Sequence, residues 1–121
     1  RTKLLLVMAE TLVSRAFLEN EELHQVLEKF LPLAETIIIF GSFAKRTEKE
    51  SSDFDMIIIG AKKKEVLQKL KRIFPREINL EFATWGTFET ALREKNALAL
   101  EIKKDHLIYG NVFKVVDMYC G

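Results

Sequence analysis

This sequence has a single cysteine, and it is the penultimate residue, Cys120. An internal disulfide and a cysteine-based zinc site are excluded, and a reducing, cytoplasmic setting is expected. No apolar run approaches the roughly 20 residues that a membrane-spanning helix needs. The first apolar stretch is interrupted by Glu10 and has no signal-peptide pattern. Excess charge of one sign is missing too: 19 Lys and Arg stand against 18 Asp and Glu, a net charge of +1. There is no global electrostatic case for nucleic acid or a membrane surface. Repeats and low-complexity tracts are absent. Gln is scarce beside Lys and Glu, a composition in keeping with a thermophilic source. The chain opens on Arg rather than Met, so it is expected to be a fragment of a longer one.

What is present suffices for one domain with a real core: 121 residues, 48% hydrophobic and 31% charged. The informative stretch is Phe40 to Gly60. Ile37, Ile38, Ile39 and Phe40 stop at Gly41-Ser42, and after a ten-residue spacer Asp53-Phe54-Asp55 opens a second apolar run, Met56 to Ile59. The first run reads as a buried strand delivering the backbone to a tight turn. Asp53 and Asp55 are two apart, so both point to one face of the second strand. Adjacent carboxylates at the start of an apolar strand repel each other and are costly unless a cation holds them. Oxygen-only ligands favour Mg²⁺ over zinc. A Gly-Ser turn with backbone N–H groups beside them suits a phosphate. The stretch therefore implies a metal-nucleotide site.

The remaining periodicities give a layered α/β (α+β) domain, with helices flanking a mixed sheet. Residues 3–18 predict a helix whose apolar face is wider than sheet packing requires. It is either buried, or docked on an upstream domain or a second subunit. Asn20 is an N-cap for a helix over 21–31, ended by Pro32. His24 on that helix reads as a surface residue. Strands follow at 35–40 and 53–59, joined by a helical turn through Arg46 and a polar loop, 47–52. Residues 62–74 predict a helix with a stripe of Val66, Leu67, Leu70, Ile73 and Phe74; its lysines read as a solvated face. Residues 77–83 alternate, with Ile78, Leu80 and Phe82 on one side and Glu77, Asn79 and Glu81 on the other. If this strand neighbours the second, its polar row stands beside Asp53 and Asp55. A helix from Thr84 to Lys95 stops at Asn96, with Trp85 as a packing anchor. Residues 97–103 are a helix or an extended connector. Asp105-His106 is a turn, 107–109 a short strand closed by Gly110, and 112–119 a last apolar segment. The division is one domain, 1–121, with a helical segment (1–33) and a motif-bearing core (34–110).

Gly-Ser, a ten-residue spacer and Asp-Phe-Asp between apolar strands resemble the nucleotidyltransferase domain of the DNA polymerase β superfamily, in its small stand-alone form. The resemblance covers about residues 34–110 and implies transfer of a nucleoside monophosphate to a hydroxyl, with pyrophosphate leaving. It implies that Asp53 and Asp55 bind Mg²⁺ (or Mn²⁺). Gly41 and Ser42 would contact the phosphates of ATP or another triphosphate, and Ser52 would fix the turn into the second strand. The chain departs from the pattern twice. Arg46 stands where the family usually has Gly, and is a candidate to face phosphate. Asn79 falls where the family's third carboxylate is expected, so Glu81, with the same facing, becomes the candidate third ligand, with Glu77 less favoured. Small members of this kind pair with HEPN-type toxins and adenylylate a toxin tyrosine, which would make the acceptor a protein. The competing reading is a regulatory nucleotide-binding module fused behind a winged-helix DNA-binding domain.

Overall fold

The computed structural model of the chain describes residues 2–44 and 53–120. Its sheet has four strands in the order β3-β2-β1-β4: β1 (Thr36–Phe40), β2 (Phe54–Ile59), β3 (Ile78–Ala83) and β4 (Leu107–Gly110). Strand β1 runs antiparallel to both β2 and β4, while β2 and β3 are parallel. The sheet is mixed, as the alternation of elements predicts. The parallel pair needs a crossover, and α4 (Lys64–Leu70) lies on that connection.

Both faces are covered over most of their length. Ile37, Ile39, Met56, Ile58 and Leu107 point to one side, where α2 (Glu21–Phe30) packs Leu23, Val26, Leu27 and Phe30, and α4 packs Leu67. Ile38, Ile57, Ile59 and Ile108 point to the other, against Phe88 of α5 (Trp85–Arg93), Ile102 of α6 (Ala97–Lys104) and Val115 of α7 (Val112–Cys120). Every residue of β1 is buried, which is why it reads as a continuous apolar run rather than an alternating one. Each fully buried aliphatic side chain here contributes about 1.5–3 kcal/mol from area removed from water.

Local signals hold at most element ends. The Asn20 side chain accepts from the Leu23 N–H and starts α2. α2 ends at Phe30, just ahead of Pro32 as expected, and Pro32 enters a single 3-10 turn, Leu31–Leu33, at its first positions, where no N–H is needed. Residues 97–104 settle as helix α6. Asn96 is its N-cap, accepting from the Leu98 and Ala99 N–H groups, rather than the stop of α5. That stop falls on Lys95, which takes a left-handed φ of 54°. In the α4 segment Leu67 is fully buried, whereas Val66 and Ile73 of the expected stripe are exposed.

The first helix, α1 (Thr2–Ala16), overturns the buried reading. Ser14 is its one buried residue, and Leu5 and Leu12 are each 66% exposed, with Leu4, Met8 and Val13 also open. The helix lies along the free edge of β4 and against α7, and polar contacts hold it there. The Ile108 N–H donates to Ser14 Oγ at 2.9 Å, so an edge-strand donor that would otherwise be buried unpaired is satisfied. The Tyr109 hydroxyl donates to the Ser14 carbonyl at 2.8 Å. Nearer the helix start, Lys3 pairs with Asp117 of α7.

One more polar tie crosses from α1 to the β4 side. His106 Nδ1 lies 2.7 Å from the Ile102 carbonyl oxygen, and Nε2 lies 2.9 Å from Glu10 Oε1. Carbonyl and carboxylate oxygens only accept, so the doubly protonated imidazolium satisfies both contacts. Burial opposes the charge, but Glu10, the Ile102 carbonyl and Asp105 together outweigh it and raise the pKa above the ordinary 6.5. Lys104 lines the same cleft, and the Tyr119 ring lies tilted by 40° beside the imidazole, with ring centroids 4.9 Å apart.

The polar attachment of α1 can be tested by substitution and by pH. Ser14→Ala strands the Ile108 N–H and is expected to lower unfolding free energy in urea by about 1–3 kcal/mol. Leu12→Ala, at an exposed position, is expected to stay within about 0.5 kcal/mol. Because the folded pKa of His106 is raised, its stabilisation is complete below about pH 6.5 and is lost as pH rises through the higher folded value. The urea midpoint is expected to fall across that window in the parent protein and to fall less in Glu10→Gln.

Candidate functional site

The candidate site is a ledge where the described helices stop covering the second sheet face. Side chains alternate along β2, so Asp53, Asp55, Ile57 and Ile59 share that face. Ile57 and Ile59 are buried under α5, α6 and α7, while Asp53 and Asp55, at the strand start, are half-buried. The two carboxylates are thus carried on a strand whose next residues are fixed in the core.

Strand β1 delivers the turn to the same place. Its last residue, Phe40, pairs with Asp55. Gly41 follows with φ of +73° and starts the four-residue helical turn α3 (Gly41–Ala44). A Cβ at Gly41 would lie 2.3 Å from Asp55 Oδ2. Glycine is therefore required twice, for the left-handed backbone and for the close approach of the carboxylate. Ser42 sits next in the turn, half-buried. The expected site residues Arg46 and Ser52, and the polar loop 47–52, lie outside the described residues.

Strand β3 adds the third side. Its parallel register places Asn79 opposite Asp55 and Glu81 opposite Ile57. The polar row of β3 therefore stands beside the acidic pair, as its alternation predicts. The residue that meets the pair is Asn79. Its Nδ2 donates to Asp53 Oδ2 at 3.1 Å and to Asp55 Oδ1 at 2.9 Å. Glu81 is exposed one pleat further along, and Glu77 is exposed before the strand start. Among the described residues, no three or more His, Cys, Asp or Glu side chains gather as a metal-binding group.

The donor set nevertheless fits a small hard cation. Two carboxylate oxygens converge on one point, now taken by the Asn79 nitrogen. Mg²⁺ is commonly held by one or two carboxylates together with substrate phosphates, so two suffice. The Asp55 carboxylate takes the place that a Cβ on Gly41 would fill, so the acidic pair and the start of the α3 turn are in direct contact. Asp53, Asp55, Gly41 and Ser42 are thus brought to one place.

Two features were not read from the sequence. The contact between Gly41 and Asp55 follows from β1–β2 register, for which the signal was the Gly directly after the first apolar run. The tie between Glu10 and His106 joins residues 96 apart and has no local signature. No helix among the described residues is long and apolar enough to cross a membrane.

Residues 21–113 match the family model described as polymerase beta, nucleotidyltransferase. No curated protein matches the sequence. Among solved structures, one described as the crystal structure of a toxin–antitoxin with AMP-PNP aligns with a TM-score of 0.48 at 21% identity, over 83% of this chain and 86% of that one. The family match runs from the start of α2 into α7, well over half of the sequence and all of the ledge, and the chain belongs to the polymerase β nucleotidyltransferase family.

Proposed function

We propose that this protein transfers a nucleoside monophosphate, AMP from ATP, to a hydroxyl acceptor. The observation that carries this reading is the convergence of Asp53 and Asp55 at one point directly beside the Gly41 turn. In this reading Asp53 and Asp55 hold Mg²⁺ or Mn²⁺, and Glu81 is the third carboxylate, reaching from β3 through its longer side chain. When bound, the ion supplies charge neutralisation at the triphosphate and lowers the pKa of the acceptor hydroxyl. Gly41 lets the backbone approach the β- and γ-phosphates, and Ser42 gives them its hydroxyl and backbone N–H. Ser52 and Arg46 remain the candidates for the turn into the second strand and for phosphate contact. The chain's own part is positioning and charge stabilisation rather than covalent chemistry.

The acceptor in this reading is a protein, a tyrosine of a HEPN-type toxin, and the protein acts in the cytoplasm as its antitoxin. A domain of this size has little surface to spare for recognising a large acceptor, and a partner supplies that specificity. The open apolar face of α1 is a surface of the kind a protein partner or a second copy covers.

A second reading is favoured by Asn79, which stands against the acidic pair in place of a carboxylate. Here the domain binds a metal nucleotide, transfers poorly, and regulates an upstream winged-helix DNA-binding domain.

Incubation with α-labelled ATP, Mg²⁺ and a HEPN-type toxin separates the two. Label on the toxin is expected, with Asp53→Ala or Asp55→Ala lowering transfer by at least about 100-fold, the loss typical of removing one electrostatic contact to a transition state. Gly41→Ala, which drives a methyl into Asp55, is expected to reduce transfer as well. Tight Mg²⁺-ATP binding without transfer would select the regulatory reading, and no nucleotide binding would sink both. Mn²⁺ binding unchanged in Glu81→Gln would remove Glu81 from the ligand set.

A further inference from the structure

Asn79 carries two amide hydrogens on one nitrogen, and each is committed to a different carboxylate, 3.1 Å to Asp53 Oδ2 and 2.9 Å to Asp55 Oδ1. Ionised carboxylates only accept, so without a donor between them the two groups repel. The amide is placed there by the backbone: the parallel β2–β3 ladder sets Asn79 opposite Asp55. On the other side Asp55 abuts Gly41 so closely that a Cβ would not fit, which limits its retreat toward α3. The partly positive N–H₂ therefore sits at the focus of the pair, where a cation would also be drawn. A carboxylate at position 79 would put a third negative charge at that focus instead.

We propose that Asn79 is a positioning residue, an amide clasp that holds Asp53 and Asp55 converged when no cation is bound and keeps the cation affinity of the site low. Cation entry takes the amide N–H₂ out from between the two carboxylates. The clasp makes the metal-free ledge stable by itself, whereas an Asp at this position would make its stability depend on the ion. The inference rests on the nucleotidyl-transfer reading only in taking a divalent ion as the ligand of the pair.

Two measurements on the intact protein test it, and neither reads transfer. The first is thermal melting in chelator and in Mn²⁺, and the second is Mn²⁺ binding followed by the electron paramagnetic resonance signal of the free ion. Asn79→Asp is expected to melt below the parent in chelator, to regain that loss in Mn²⁺, and to bind Mn²⁺ about ten-fold tighter, since ligand charge sets affinity at such sites. Asn79→Ala, which removes the donors without adding charge, is expected to melt lower in chelator and to recover in Mn²⁺. It covers the case in which the Asp variant does not fold. Variants that melt like the parent in chelator, or that lose the same stability with and without Mn²⁺, overturn the clasp. Equal Mn²⁺ binding by the parent and by Asp53→Asn overturns the metal reading of the pair instead, so the two failures are told apart.

Discussion

The antiparallel pairing of β1 with β2 is the constraint on which the rest depends. It sets Phe40 opposite Asp55 and so brings the end of one apolar run onto the start of the other. β1 is hydrogen-bonded on both edges, to β2 and β4, and is buried throughout. A slip of one residue would turn Ile37 and Ile39 into the place of Ile38 and Phe40, and exchange both halves of the core at once. The register is therefore locked by the two hydrophobic layers, and the placement of Gly41 under Asp55 follows from it. The chemistry at the ledge inherits its geometry from burial several residues away.

Among the described residues, no helix buries the second face at the start of β2. On the second face α5, α6 and α7 bury Ile57, Ile59 and Ile38, and Asp53 and Asp55 lie beyond the fully buried part of the strand. Partial exposure lets two carboxylates share a strand without the full cost of desolvation, and leaves room for a ligand. The β2–β3 pairing then adds a neutral donor to the acidic pair. Among the described residues, Gly41, Asp55 and Asn79 are brought together by three adjacent strands, and the precision of that placement comes from ladder hydrogen bonds.

At the opposite edge, α1 is attached in a different way. None of its apolar side chains is fully buried, and Ser14, Lys3 and Glu10 tie it to β4, α7 and His106. Those ties also satisfy an edge strand that would otherwise present an unpaired donor. A helix held by polar anchors, with Leu5, Met8 and Leu12 facing outward, combines a fixed position with an open apolar face.

Much of this was legible in the sequence. The apolar runs, the Gly-Ser turn and the Asp-Phe-Asp spacing depend on neighbours within a few residues, and periodicity reads such neighbours directly. The alternation in Glu77 to Glu81 also gave the facing of Asn79, because a strand's pleat is a local property. What sequence alone left open needed partners far along the chain. Whether α1 is buried depends on what lies beside it, and Ser14 rather than its leucines proved to be the buried contact. Lys95 as the left-handed stop, with Asn96 capping α6, depends on which way the chain must turn next. By itself the sequence determined that two carboxylates share a face beside a glycine turn. The tertiary structure decided that Asn79 is the group that meets them, because only β2–β3 register says which residue of one strand stands opposite which of the other.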